Sequence, residues 1–245
     1  SSLGYRGAVG EKMSGMIYGI GVGPGDPQLL TVKAVQTLQE VDAVLVPRSR
    51  GDRESLALSI AQPHLRASCE VLEAVFPMTE QREVLQQAWE EAAALLLARA
   101  DAGQRVAFLT LGDAMLYSTW SYLLATLHRL RPEIDAVTIP GITAMSACAA
   151  TLGSPLAEGR NPLLIWPDAP PADVAPLLQV APNIVFMKSA RHLEKLAEMA
   201  AAHGLEAAAV RRCSLPEEER TRDLREWVGE GEYFTTVLMR AKEQS

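Results

Sequence analysis

Residues 17–30 read IYGIGVGPGDPQLL, and the reading of this stretch decides the fold. An apolar run, 17–20, leads into glycines at alternating positions, Gly19, Gly21, Gly23 and Gly25, and Asp26-Pro27 then opens an amphipathic segment. That succession predicts strand, glycine loop, helix. Residues without Cβ let backbone lie close to a ligand. Asp26 suits an N-cap and Pro27 a first helical turn. Counting from Gly21, Asp26 stands where the third glycine of G-x-G-x-x-G belongs, and Pro24 removes an N–H from the loop. The corner therefore suits a ligand without phosphates better than a dinucleotide.

Outward from this corner, Leu30, Ala34, Leu38 and Val41 fall on one helical face, and 43–46 is a second strand closed by Pro47. Strand, helix, strand in about thirty residues implies a parallel pair with a right-handed crossover. Asp52 is expected to cap a helix through Ile60, ended by Pro63. A strand over 70–76 and a helix over 80–99 follow, with Leu85, Trp89, Ala92 and Leu96 inward. The apolar run 105–110 has the character of a buried parallel strand and delivers loop 111–119 at its carboxyl end, where ligands bind in open α/β sheets. In that loop Asp113 is either a turn residue or part of a site. A helix over 119–130, a strand over 136–139, the Pro140-Gly141 break and a small-residue helix over 143–152 ended by Gly153 complete the first part. A second alternation has strands at 163–166, 184–188 and 207–211, helices at 172–178 and 191–203, and a last strand at 233–240. The charge run 217–225 reads as a solvated face. The organisation expected is a leader or appended stretch over 1–15, an N-terminal α/β domain over 16–142 and a C-terminal α/β domain over 143–245.

Composition bounds the function. The 245 residues are 48% hydrophobic and 22% charged with net charge -7, an ordinary globular balance that argues against bulk nucleic-acid or membrane-surface binding. No stretch reads as a membrane span. Cys69, Cys148 and Cys213 are far apart with no C-x-x-C, so free, buried thiols in a reducing cytoplasm are expected. His64, His128, His192 and His203 form no ligand spacing, and no metal is expected. After the second strand comes Arg48-Ser49-Arg50, where a NAD enzyme would carry an acid; arginines there suit a 2′-phosphate. The residues alone thus leave an NADP-dependent oxidoreductase open.

Three segments in order, GIGVGPGDPQLLTVKAVQTLQEVDAVLVPRS, FLTLGDAMLYSTWSYL and IPGITAMSACAATLG, resemble the tetrapyrrole methyltransferases, class III S-adenosylmethionine enzymes, over residues 16–240. The VPRS, LYST and YFTTVLM stretches resemble the branch that methylates C-20 of precorrin-2 or cobalt-factor II in cobalamin biosynthesis. The resemblance implies two α/β domains with S-adenosylmethionine in the cleft between them, touched by Pro24, Leu111, Gly112, Asp113, Leu116, Thr143, Ala144 and Met187. Cys213 falls at a further cofactor position where relatives often have glycine, and Ala114 replaces the usual proline after Gly-Asp. For a substrate rich in carboxylates, Arg48 is the first candidate cation and Arg50 the second, since guanidinium pairs with carboxylates bidentately. Ser49, Ser118 and Thr119 are candidate substrate contacts, and Tyr117 is the candidate to orient the ring or assist proton loss. A cytoplasmic homodimer is implied as well. Another corrin-ring methyltransferase of the same family and a non-catalytic tetrapyrrole carrier with the same fold are the remaining readings.

Overall fold

The computed structural model describes residues 15–48, 55–229 and 234–241. Ser49, Arg50, Asp52 and Tyr233 lie outside the described residues. The chain forms two compact units: one runs to Val22 and takes in Leu30–Gly141, the other combines Gly23–Leu29 with the chain from Ile142. The glycine loop, which the sequence places inside the N-terminal domain, is therefore part of the second unit.

The first unit is built on strands β1 (Met16–Gly21), β2 (Ala43–Pro47), β3 (Glu70–Ala74), β4 (Arg105–Thr110) and β5 (Ala136–Ile139). Among the described residues they form one sheet, order β3-β2-β4-β1-β5, with every pair parallel. Its helices are α1 (Val32–Leu38), α2 (Leu56–Ala61), α3 (Arg82–Asp101) and α4 (Thr119–Leu130). Strand residues alternate between two cores, as a sheet covered on both faces requires. Ile17 and Phe108 face α3 and α4 with Leu96, Trp120 and Leu123, while Tyr18, Ile20 and Leu109 face α1 and α2 with Leu38 and Ile60. Trp120 is fully buried, and its indole N–H donates to Thr138 Oγ1 at 2.8 Å.

Two helix starts differ from expectation. Asp26 does not cap α1; residues Pro27–Leu29 make a 3-10 turn, and Thr31 is the N-cap, its hydroxyl accepting from Ala34 N–H at 3.1 Å. The predicted apolar face holds, with Leu30, Ala34, Leu38 and Val41 buried. The helix α2 begins at Leu56, with Ser55 in the cap position.

The second unit has strands β6 (Leu163–Pro167), β7 (Asn183–Met187), β8 (Leu205–Arg211), β9 (Glu219–Thr221) and β10 (Thr235–Ala241), and helices α5 (Ala144–Leu152), α6 (Ala175–Leu178) and α7 (Leu193–Ala202). The described strands are ordered β6-β7-β10-β8-β9. This sheet is mixed: β6 and β7 are parallel, whereas β10 enters antiparallel to both β7 and β8, and β9 runs antiparallel to β8. A parallel return needs a long crossover, and between β9 and β10 the described chain carries only the 3-10 turn Leu224–Trp227. The expected solvated charge run thus includes an edge strand and that turn, whose Leu224 and Trp227 are buried with α7. On the opposite face α5 packs Cys148 and Leu152 against Val185, Val210 and Leu238. Cys148 and Cys213 are buried and free, as expected, while Cys69 is only half-buried. Among the described residues, no helix is long and apolar enough to cross a membrane.

Candidate functional site

In the first unit the candidates cluster at the carboxyl ends of the strands. The chain leaves β4 through Leu111, half-buried against the core beneath α1 and α2, into Gly112, whose φ of +66° is left-handed. Two other backbones converge on Gly112. A Cβ on Gly21 would lie 2.6 Å from its carbonyl oxygen, and one on Gly141 would lie 2.2 Å from the same atom. Asp113 ties this corner together: Oδ1 accepts from Gly141 N–H and Oδ2 from Met115 N–H, both at 2.9 Å. Both carboxylate oxygens thus serve the turn. Leu116 is half-buried, and Tyr117 is 51% exposed with φ +49°. Left-handed backbone at a non-glycine residue is uncommon and gathers at functional loops.

Ser118, one of the expected substrate contacts, has a structural role in the fold. It is buried as the N-cap of α4, its Oγ accepting from Trp120 N–H at 3.1 Å and donating to Thr110 Oγ1 at 3.0 Å. Its hydroxyl is committed to holding α4 on β4. Thr119 is the half-buried first residue of α4. Arg48 follows β2 on the same edge, its side chain 62% exposed and paired through Nε with Glu73 at 3.1 Å.

In the second unit β6, β7 and β8 all point the same way, because β10 reverses direction twice between β7 and β8. The residues just beyond their ends, Asp168, Lys188 and Arg212, all have positive φ, at 62°, 55° and 53°, and Ser214 adds a fourth at 61°. Met187, at the end of β7, and Leu29, Met145 and the buried Cys213 belong to the cluster under α5. The Thr143 hydroxyl is the N-cap of α5, accepting from Ser146 N–H at 3.2 Å, and the Thr143 carbonyl accepts from Ala147 N–H at 3.2 Å, so what the main chain can offer a ligand here is the N–H groups of Thr143 and Ala144. A hydrogen bond with Cys213, together with burial, pushes the Cys148 thiol far above its ordinary range, so it stays protonated.

The glycine loop is stapled to this unit. Asp26 N–H donates to Ser214 Oγ at 3.0 Å, and a Cβ on Gly25 would lie 2.7 Å from Leu215 Cδ2. Gln28 N–H goes to Asp26 Oδ1 at 2.8 Å and Leu29 N–H to the Asp26 carbonyl at 2.9 Å. With Pro24 and Pro27 lacking N–H groups, the loop has little left of the amide cradle that binds phosphate.

Sequence reasoning missed Ser214 and Glu218. Glu218 Oε2 accepts from Ser214 N–H at 2.6 Å and from Thr151 Oγ1 at 3.3 Å. Nothing local singles out the middle one of three successive glutamates, 217–219. Arg211 is held by Glu219 at 2.6 Å and stacks 4.5 Å over the Trp227 ring. Among the described residues, no cluster of His, Cys, Asp and Glu could hold a metal ion.

The family model of the tetrapyrrole (corrin/porphyrin) methylases matches residues 16–226. A cobalt-precorrin-2 C(20)-methyltransferase of Salmonella typhimurium is 37% identical over 232 residues, 93% of this chain and 97% of the relative. A precorrin-2 C(20)-methyltransferase of a Sinorhizobium species is 30% identical over 236 residues, covering 92% and 95%. Among solved structures, a cobalt precorrin-4 methyltransferase matches with TM-score 0.73 at 20% identity, covering 96% of this chain and 98% of that one. The uroporphyrin-III C-methyltransferase of Thermus thermophilus, complexed with S-adenosyl homocysteine, matches with TM-score 0.64 at 24% identity over 92% and 97%. At these identities the solved structures speak for the fold alone.

Proposed function

Because the chain belongs to the tetrapyrrole (corrin/porphyrin) methylases, we propose that it transfers a methyl group from S-adenosylmethionine to the C-20 meso carbon of precorrin-2, or of its cobalt-containing counterpart, in cobalamin biosynthesis. The observation that carries this is 37% identity running through 93% of the chain and 97% of a relative of that activity. The oxidoreductase reading is not favoured, since the family and these relatives are methyltransferases.

The residues present fit the cofactor. It carries no phosphate, and the amides of Asp26, Gln28 and Leu29 are already bonded within the second unit. Within the second unit Leu29, Met145 and Met187 offer apolar and soft sulfur surface, and the N–H groups of Thr143 and Ala144 offer polar contacts. When bound, S-adenosylmethionine supplies a methyl carbon on a sulfonium sulfur, which keeps the bonding pair and leaves as a neutral thioether. The meso carbon forms the new C–C bond and releases one proton.

Such a displacement needs alignment and exclusion of water more than a strong base, and alignment alone supplies roughly 7–11 kcal/mol. In this reading Asp113 fixes the 111–116 turn through Met115 N–H and ties it to Gly141 N–H. Arg48 turns from Glu73 to a substrate carboxylate. Tyr117 Oη, exposed on a left-handed residue, orients the ring or assists proton loss as a relay, its hydroxyl giving its own proton to solvent as it receives the meso proton. Ser49 and Thr119 remain substrate contacts of the proposal, and a cytoplasmic homodimer belongs to it, which sedimentation at twice the chain mass would support.

The test is incubation with methyl-labelled S-adenosylmethionine and, separately, metal-free and cobalt-containing substrate. Label retained on one of the two tetrapyrroles is expected, with a mass gain of one methylene. Calorimetry showing no binding of S-adenosylhomocysteine would sink the proposal. Substrate binding without label transfer makes the chain a carrier, and steady oxidation of NADPH makes it an oxidoreductase.

A further inference from the structure

Ser214 sits in a backbone conformation that a serine avoids, with φ +61°, and Arg212 two residues earlier has φ +53°. Such a geometry persists only where its surroundings over-determine it. Four contacts do so here. The Ser214 N–H donates to Glu218 Oε2 at 2.6 Å, the short bond expected of a carboxylate acceptor. Leu215 N–H returns to the Arg212 carbonyl and Glu218 N–H to the Leu215 carbonyl, both at 3.0 Å, closing two successive turns. Thr151, near the end of α5, anchors the same Glu218 oxygen at 3.3 Å.

Held this way, Ser214 presents Oγ to the Asp26 N–H at 3.0 Å, across 188 residues of sequence. On the other side of the same turn lies Cys213, buried against Cys148 and Leu29. One carboxylate therefore sets two parts of the second unit at once, the loop carrying Pro24 and the main chain of Cys213.

We propose that Glu218, acting through Ser214, is a positioning residue for the cofactor: it fixes the Gly23–Leu29 loop and the Cys213 main chain in the arrangement that binds S-adenosylmethionine. This rests on the methyltransferase reading. A structural turn alone would need neither the Oγ contact to Asp26 nor the close seating of Gly25 on Leu215. Ser214→Gly keeps the left-handed backbone, which glycine adopts freely, and deletes only the hydroxyl. Glu218→Ala deletes the carboxylate, and Glu218→Gln retains one oxygen able to accept from Ser214 N–H.

The experiment measures S-adenosylhomocysteine binding by calorimetry, the kinetic constants for both substrates, and amide exchange in the full chain. Ser214→Gly and Glu218→Ala are expected to weaken S-adenosylhomocysteine binding and raise the cofactor KM about tenfold. The KM for the tetrapyrrole and kcat at saturating cofactor stay within about twofold, and the Asp26 amide exchanges about tenfold faster. Glu218→Gln restores most of the affinity. Unchanged affinity in Ser214→Gly and Glu218→Ala overturns the proposal, as does loss of kcat and of both KM values in step with melting temperature. Should Glu218→Ala fail to fold, Ser214→Gly and Glu218→Gln decide alone. If the unaltered chain binds no S-adenosylhomocysteine while the Asp26 amide responds as expected, the loop clamp stands and the cofactor role falls with the methyltransferase reading.

Discussion

Asp113 spends both carboxylate oxygens on backbone N–H groups, one in its own turn and one 28 residues away at Gly141. Asp113→Ala is expected to lower stability by about 2–3 kcal/mol, since two charge-assisted bonds are lost, with Asp113→Asn losing about half as much; urea unfolding measures both. Arg48 and Tyr117 are different: their side chains are exposed, and among the described residues the Arg48 guanidinium pairs with Glu73. Arg48→Ala is expected to raise the tetrapyrrole KM about tenfold with melting unchanged, because an exposed ion pair contributes at most about 1 kcal/mol. Tyr117→Phe is expected to cut kcat by about tenfold or more while S-adenosylhomocysteine binding holds. Equal kcat in Tyr117→Phe would remove the phenol from proton transfer. At this scale the sequence was least informative. That Asp113 belongs to a turn was readable from Gly-Asp, but its second partner, Gly141, meets it only through the fold. Ser118 looked like a free hydroxyl beside Tyr117 and is a buried cap, because a cap and a ligand contact have the same local signature.

Elements were legible wherever apolar period and turn chemistry agreed. The helix α4 and the strands β4 and β5 fall where the pattern puts them, since a continuous apolar run between turns fits only a strand covered on both faces. The start of α1 was misplaced because Asp-Pro opens a 3-10 turn as readily as an α-helix, and only the Thr31 hydroxyl on Ala34 N–H tells the two apart. The order of β10 was invisible, since strand pairing is decided by contacts far apart in sequence. The alternating glycines also answer to packing within the fold. Gly19 makes room for the indole of Trp120: a Cβ there would lie 2.0 Å from Cε2. Gly19→Ala is accordingly expected to destabilise by about 3 kcal/mol. In a double-mutant cycle Trp120→Phe should recover part of that loss, with coupling of about 1 kcal/mol or more. Additive costs would place the strain elsewhere than in this contact.

For the whole molecule, the buried thiol of Cys148 couples stability to alkaline pH. Its folded pKa is raised above the ordinary 9.0 by the hydrogen bond with Cys213 and by burial, so the unfolded chain loses this proton first as pH rises. Its contribution is whole below about pH 8.5 and declines above it, by at most about 1.4 kcal/mol per pH unit. Thermal melts between neutral and alkaline pH should show a shallower decline for Cys148→Ala than for the unaltered chain; parallel curves would assign the decline to other groups.

The seven residues Gly23–Leu29 are made early and used late. Their seat on Ser214 is 188 residues downstream, and β10, which completes the middle of that unit's sheet, ends at Ala241. At ribosomal speeds of 5–20 residues per second, the loop waits roughly 10–40 s on the nascent chain before its partner emerges. All five described strands of the first sheet have been synthesised once β5 is complete, so that sheet can form during that interval with the glycine loop still unseated. On the role proposed for this loop, cofactor affinity is among the last properties acquired during synthesis, and ribosome-bound chains stopped short of Ser214 should fold their parallel sheet without holding this loop.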